Sequence, residues 1–206
     1  MRQAEDLILR DYIVSAASQI MAGGGGNGDN PTNLGVSDFS VVATTLATNN
    51  APMFVSGIQG EDRYGTGPVR SAYFMLSSTE LQTDFDGLSG SGFKSQWDYP
   101  QPSLACPNEY GAVFNIRILT SSEAPVARGA SANGQDVYFN SVVAKQAVTH
   151  INQDGYSMKL IYRDPYYSGM LAQNATLAVK FAQAQALTQD TGIRNLLSTR
   201  LSTLAA

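Results

Sequence analysis

The chain has 206 residues, of which 43% are hydrophobic and 15% are charged, and its formal net charge is −4. The length suits one large domain or two small ones, and the charged share lies well below the usual share of about a quarter. The 13 basic residues are scattered, which argues against specific nucleic-acid recognition by clustered Lys and Arg but is compatible with a shell that encloses nucleic acid.

The N-terminal part of the chain predicts two helices separated by a loop. Residues 4–22 have acidic residues in the first turn and apolar residues along their length, and Gly23 is a natural stop. A Gly/Asn-rich loop follows. Ser37 is the predicted N-cap of a second helix, on which Phe39, Val42 and Leu46 share one face.

The middle of the chain alternates long loops with short elements. Residues 57–70 carry five Gly or Pro residues and predict a loop. Residues 73–76 form an apolar run suited to a strand. They lead into a Ser-Ser-Thr-Glu capping-box pattern that opens a short helix through Phe85. Residues 86–111 are rich in loops.

The second half predicts strands. Residues 113–119 alternate, with Phe114, Ile116 and Ile118 on one face. A loop covers 121–136. Further strands are predicted at 137–144, 158–163 and 174–187, whereas 193–204 fits either a helix or a strand. Helices followed by antiparallel strands indicate an α+β fold.

The sequence holds few residues that could carry chemistry. His150 is the only histidine and Cys106 the only cysteine, which excludes His-pair metal sites, an intrachain disulfide and a cysteine-based metal cluster. Residues 23–28 match G-x-G-x-x-G but follow a helix, where the dinucleotide motif must follow a strand. We therefore predict no enzyme activity, no catalytic residues, no metal site and no cofactor.

Two alternatives from other classes stay open. Asp84 and Asp86 form an acidic pair, which would suit a hydrolase if their carboxylates converged in a pocket. Trp97 and Tyr99 would suit the aromatic site of a β-rich ligand- or carbohydrate-binding module. The first residues lack the apolar run of a signal peptide, and no stretch approaches the ~20 apolar residues of a membrane span. We therefore expect synthesis in the cytoplasm and no membrane contact.

Several segments, taken in order, resemble tailed-bacteriophage major capsid proteins with the Hong Kong 97-type fold, and most closely the family typified by the major coat protein of the coliphage N-four. The resemblance covers most of residues 37–204. Its segments are SDFSVVATTLATNNAPMF (37–54), AYFMLSSTELQTDF (72–85), NEYGAVFNIRILTSSEAP (108–125), VYFNSVVAKQAVTHI (137–151) and MKLIYRDPYYSGMLAQNATLAVKFAQAQALTQDTGIRNL (158–196). Ala144 stands where the family usually has glycine.

The resemblance implies a division of the chain. Residues 1–36 would be the end of the long spine helix and a loop of the peripheral part. Residues 37–164 would form the axial, capsomer-facing domain, and residues 165–206 the C-terminal strands of the peripheral domain. The family's N-terminal arm, extended loop and most of the spine helix are expected to be missing from this chain.

The resemblance also implies a function. The chain would be a major capsid protein that assembles with copies of itself into hexamers and pentamers. These would form an icosahedral shell that encloses double-stranded DNA without binding it specifically. Assembly would take place in the host bacterial cytoplasm, with scaffolding, portal or decoration proteins as further partners. The candidate subunit-contact residues are Asp62, Arg63, Tyr64, Trp97, Tyr99, Glu123, Arg128 and Asp136, of which the last three belong to a loop expected near the capsomer centre.

Overall fold

A computed structural model describes residues 2–24, 30–54, 71–88, 92–98, 108–152, 159–165, 175–180 and 182–201. Its helices are α1 (Arg2–Ala16), α2 (Val36–Thr48) and α3 (Gln82–Gly87). Its strands are β1 (Ser18–Met21), β2 (Tyr73–Ser78), β3 (Phe93–Ser95), β4 (Glu109–Val113), β5 (Ile116–Ser121), β6 (Val126–Ala127), β7 (Val137–Val143), β8 (Val148–Asn152), β9 (Lys159–Arg163), β10 (Thr176–Lys180), β11 (Gln183–Leu187) and β12 (Ile193–Ser198). The predicted mixture of a few helices with extensive sheet is confirmed.

The chain divides into two compact units. One comprises Met1–Ala147 with Thr188–Ala206, and the other comprises Val148–Leu187. These boundaries differ from the predicted ones after residues 36 and 164. The assignment of axial and peripheral parts in a shell stays a prediction.

The larger unit is built on a mixed sheet. Its strands, within the described residues, follow the order β1-β12-β7-β2-β5-β4-β3, and β6 pairs beside β7. The β1–β12 and β2–β5 pairs are parallel, whereas β12–β7, β2–β7, β4–β5 and β3–β4 are antiparallel. Strand β12 pairs with β1 on one side and β7 on the other, and Ile193, Leu196 and Leu197 are buried. Of the ambiguous stretch 193–204, residues Ile193–Ser198 therefore form a strand.

Helix α2 supplies one side of the core. Phe39, Val42 and Leu46 are fully buried, as their helical spacing predicts. The ring of Phe39 meets that of Phe85 edge-on at 6.5 Å. The predicted N-cap at Ser37 is wrong by two residues, because the helix starts after Gly35, whose N–H donates to the Asp38 carboxylate over 2.8 Å.

The predicted helix over 4–22 is too long. Helix α1 ends at Ala16, and Ser18–Met21 forms β1 instead, because its backbone pairs in parallel with β12, from Ser18 opposite Arg194 to Met21 opposite Leu197. A partner more than 170 residues away thus overrides the local helical pattern.

The predicted strand over 113–119 is two strands joined by a tight turn. Phe114 has a φ of 51° and is exposed, whereas Ile116 and Ile118 are buried as predicted. Strands β3 and β4 also pack closely at Gly111, because a Cβ on this residue would lie 2.5 Å from the Phe93 ring. Only glycine allows β3 and β4 to approach in this way.

The smaller unit contains two antiparallel sheets of two strands each. Strand β8 pairs with β11, from Val148 opposite Leu187 to Asn152 opposite Gln183. Strand β9 pairs with β10, from Lys159 opposite Lys180 to Arg163 opposite Thr176. The single long strand predicted over 174–187 is therefore wrong, because its two halves pair with different partners.

Candidate assembly surfaces

The predicted contact residues Arg128 and Asp136 meet in a charged network at the edge of the larger unit. Arg128 donates from Nη2 to Oε1 of Glu80 over 2.7 Å and from Nη1 to Oδ2 of Asp136 over 2.5 Å. The Tyr138 hydroxyl donates to Oε2 of Glu80 over 2.6 Å, and the Gly129 N–H donates to Oδ1 of Asp136 over 2.8 Å. These bonds connect the segment between β5 and β7 to Glu80, which lies two residues after the end of β2.

The hydrogen bonds of this network keep its carboxylates ionised. Arg128, followed by the Tyr138 hydroxyl, holds the pKa of Glu80 below its usual value. Arg128, followed by the Gly129 N–H, lowers the pKa of Asp136. Burial, together with the bond to Glu80, raises the pKa of Tyr138 to about 12. At neutral pH the loop is therefore fixed by fully charged partners.

Two further predicted contact residues, Glu123 and Trp97, lie among the described residues. Glu123 is exposed, and its backbone carbonyl accepts a hydrogen bond of 2.9 Å from Nη1 of Arg10. Trp97 is 87% exposed. The predicted contacts of Asp62, Arg63, Tyr64 and Tyr99 lie outside the described residues. Subunit contact stays a prediction for all eight residues.

The acidic pair of the hydrolase alternative does not share one environment. Asp84 is buried and accepts a hydrogen bond of 2.8 Å from the Leu201 N–H. Asp86 is exposed and accepts a hydrogen bond of 2.7 Å from the Tyr110 hydroxyl. The two carboxylates are engaged by different partners, which does not favour a joint acid–base role. In the described ranges, no three His, Cys, Asp or Glu residues group as metal ligands would.

A buried ion pair lies inside the sheet of the larger unit. Nη1 of Arg117 donates to both carboxylate oxygens of Glu109, at 2.8 and 3.0 Å. The Glu109 side chain has no exposed surface. Alternation predicted Arg117 on the strand face opposite Ile116 and Ile118, and on that face its guanidinium is buried against the Glu109 carboxylate. The pair links β4 to β5, and its two charges are buried instead of lying on the protein surface.

The outer face of α2 carries no charge. Val41 is 52% exposed, and Thr44 and Thr48 lie beside it on the same face. The Thr48 hydroxyl donates to the Thr44 carbonyl over 2.8 Å and the Thr45 hydroxyl to that of Val41 over 2.7 Å, so these donors are satisfied within the helix. A shallow cavity of about 380 Å³ lies along this face. Such weakly polar surface resembles the charge-depleted core of protein interfaces.

The β9–β10 ribbon (159–163 with 176–180) has one face formed by four apolar side chains, most of them exposed. Tyr162 lies opposite Leu177, and Leu160 lies opposite Val179. Side chains opposite each other across a ladder share one face. Leu160, Tyr162 and Leu177 are all exposed, and Val179 is half-buried. We call these four residues the apolar face.

The apolar face was not among the contact residues predicted from the sequence. Those residues were chosen by loop length and polarity, and these criteria favour loops over strands. A usable signal was present, since Leu177 and Val179 alternate with smaller or polar residues. The sequence alone did not show that Leu160, Tyr162 and Leu177 would be exposed.

None of the described helices is long and apolar enough to span a bilayer.

The fold is shared with a bacteriophage capsid protein. A chain from the capsid of Ralstonia phage GP4 superposes with a TM-score of 0.57 at 11% identity, covering 89% of this chain and 53% of that one. Chains from the capsid of cyanophage P-SCSP1u (TM-score 0.49, 12% identity, 96% and 62% coverage) and from the head of Helicobacter pylori bacteriophage KHP40 (0.43, 12%, 72% and 51%) are more distant. No protein-family profile and no curated protein matches the sequence.

The likeness to the GP4 chain confirms the prediction of a phage capsid fold. This chain spans about half the length of the GP4 chain. The narrower resemblance to the Hong Kong 97-type and to the N-four family stays a prediction.

Proposed function

We propose that the chain is a non-enzymatic structural subunit of a bacteriophage capsid, of the Hong Kong 97 type, that assembles with copies of itself. Hexamers and pentamers would form an icosahedral shell around double-stranded DNA in the host bacterial cytoplasm. Scaffolding, portal or decoration proteins would be its other partners. The shared fold with the GP4 capsid chain supports this proposal.

The observation that carries self-assembly is the apolar face of the β9–β10 ribbon. Two-stranded ribbons are marginally stable in water unless one face packs against another element. Here Leu160, Tyr162 and Leu177 remain exposed in the single chain. A contact with a second copy would bury them and would also stabilise the ribbon.

The outer face of α2 supplies a second surface of suitable chemistry. Its exposed residues are uncharged, and the hydroxyls of Thr45 and Thr48 donate to the helix backbone. Covering it therefore costs little desolvation. Two different surfaces on one subunit suit heterologous contacts, which close into rings when the rotation between copies allows it.

The test is the assembly state of the full chain over a range of concentrations. Sedimentation velocity and negative-stain electron microscopy should show rings or closed shells that appear above a threshold concentration. A monodisperse particle of 22.0 kDa at every concentration would contradict the proposal.

A further inference from the structure

The turn between β4 and β5 carries a residue that its backbone conformation disfavours. Phe114 has a φ of 51°, in the left-handed region that glycine enters freely and a bulky side chain rarely adopts. The turn is fixed to the neighbouring strand β2, because the Asn115 carbonyl accepts a hydrogen bond of 2.8 Å from the Tyr73 N–H. That bond uses backbone atoms alone, so a glycine in place of Phe114 would allow the same turn with less strain.

Core packing does not account for this phenylalanine either. Phe114 is 59% exposed, whereas Val113 and Ile116 on either side of the turn are fully buried. Backbone strain of this kind persists where a function uses the residue, and aromatic side chains are enriched at protein interfaces. Phe114 therefore has the properties of an anchor for a partner, presented at the tip of a turn that the sheet holds in place.

A groove of matching chemistry lies on α2. The cavity of about 380 Å³ along the outer face of this helix, which we call the α2 groove, is lined by Ser40, Val41, Thr44, Thr45, Thr48 and Asn49. None of these side chains is charged, and the hydroxyls of Thr45 and Thr48 already donate to the helix backbone. A phenyl ring that covers them buries no charge and leaves both hydrogen bonds intact. Phe114 of the same chain is not among the lining residues, so within one subunit the groove and the phenyl ring are separate.

We infer that the phenyl ring of Phe114 in one copy inserts into the α2 groove of the next copy. This contact rests on the proposed function and names the residues through which two subunits meet. A second copy is the occupant because each subunit carries both halves of the contact, an uncharged phenyl ring and an uncharged groove. Such a contact is heterologous and leaves one half free at each end of a pair, so further copies can be added until a closed assembly forms. Because neither half is charged, the association should depend little on salt.

The test measures the association of full-length chains by sedimentation velocity. The background protein carries Leu160→Ser/Leu177→Ser, so that association through the apolar face does not mask the result. In this background Phe114→Gly removes the phenyl ring and Val41→Lys places a charge in the α2 groove. The matched control, Ala47→Lys, places the same charge at an exposed position of α2 outside the groove.

Phe114→Gly and Val41→Lys should each raise the dissociation constant about tenfold or more, as expected from covering the 59% of Phe114 that is exposed. Ala47→Lys should match the background protein. An equimolar mixture of the Phe114→Gly and Val41→Lys proteins should associate again, because the phenyl ring of the second meets the intact groove of the first. Phe114→Gly should also keep or raise the melting temperature, since glycine relieves the strained turn, and this separates a lost contact from a lost fold.

Four results overturn the inference: no association of the background protein, equal dissociation constants in all four proteins, an equal loss in Val41→Lys and Ala47→Lys, or a mixture that associates no better than its components. The proposed function fails separately. Particles of the wild-type chain together with any of these results remove only the inference. Association that depends on Phe114 and Val41, without particles of the wild-type chain, removes only the proposed shell.

Discussion

Replacing Leu160 and Leu177 with serine should weaken assembly while leaving the subunit folded. In the single chain Leu160 is 59% exposed and Leu177 is 66% exposed. Because full burial of a leucine side chain contributes about 2 kcal/mol, covering these fractions contributes about 2.5 kcal/mol for each ribbon contact. That energy corresponds to about a 60-fold change in the contact's equilibrium constant.

The assay is the threshold concentration for particle formation, read by light scattering and electron microscopy. The matched control is Ile161→Ser/Ala178→Ser, a directly opposed pair on the other face of the same ribbon. Both variants lose strand-forming side chains, but only the first removes the apolar face. Equal thresholds for the first variant and wild type, or an equal rise in both variants, would refute the reasoning.

Two further predictions concern the larger unit. Arg117→Met leaves the fully buried Glu109 carboxylate without its cation and should lower the free energy of unfolding in urea by about 3–5 kcal/mol; a loss below about 1 kcal/mol would show that the pair contributes little. Arg128→Gln should destabilise the protein at pH 7, because Glu80 and Asp136 have folded-state pKa values held below their unfolded ones. That contribution to stability is present above the unfolded-state pKa values near 4 and is lost as pH falls through the folded-state pKa values. The melting temperatures of wild type and variant should therefore converge by about pH 3. A constant difference in melting temperature down to that pH would contradict the assignment.

Elements defined by local chemistry were predictable from the sequence. The strand at Tyr73 and the helical segment that follows it were both found, since Ser78 caps the turn by accepting from the Glu80 N–H over 3.2 Å. The buried face of α2 followed from the spacing of Phe39, Val42 and Leu46. Caps and helical periodicity act within a few residues, so one stretch of sequence contains the whole signal.

Elements defined by distant partners were not predictable in the same way. Ser18–Met21 forms a strand only because β12 provides a backbone ladder. The turn at Phe114 lacks the Gly or Asn-Gly signal of a tight hairpin, and the apolar alternation continues in phase across it. Periodicity alone therefore reads β4 and β5 as one strand.

The candidate site shows the same limit. Arg128 and Asp136 were selected because they lie in a long polar loop. Loop length and polarity do not indicate which residues these side chains contact. Glu80 lies 48 residues away from Arg128 and 58 away from Tyr138. Which charge meets which is decided by the sheet that brings β2 beside β7.

The strand order of the large sheet also constrains folding during synthesis. Strand β12 lies between β1 and β7, so neither neighbour has this partner until Ile193–Ser198 has been made. At about 5–20 residues per second, the ribosome needs roughly 10 to 35 s to travel from β1 to β12. The packing of helix α2 is delayed in the same way, because its buried face belongs to the same core cluster as Leu196 of β12. The large sheet therefore reaches its full strand order only after the ribosome has passed Ser198, and until then β1, β7 and the core face of α2 lack their contacts with this strand.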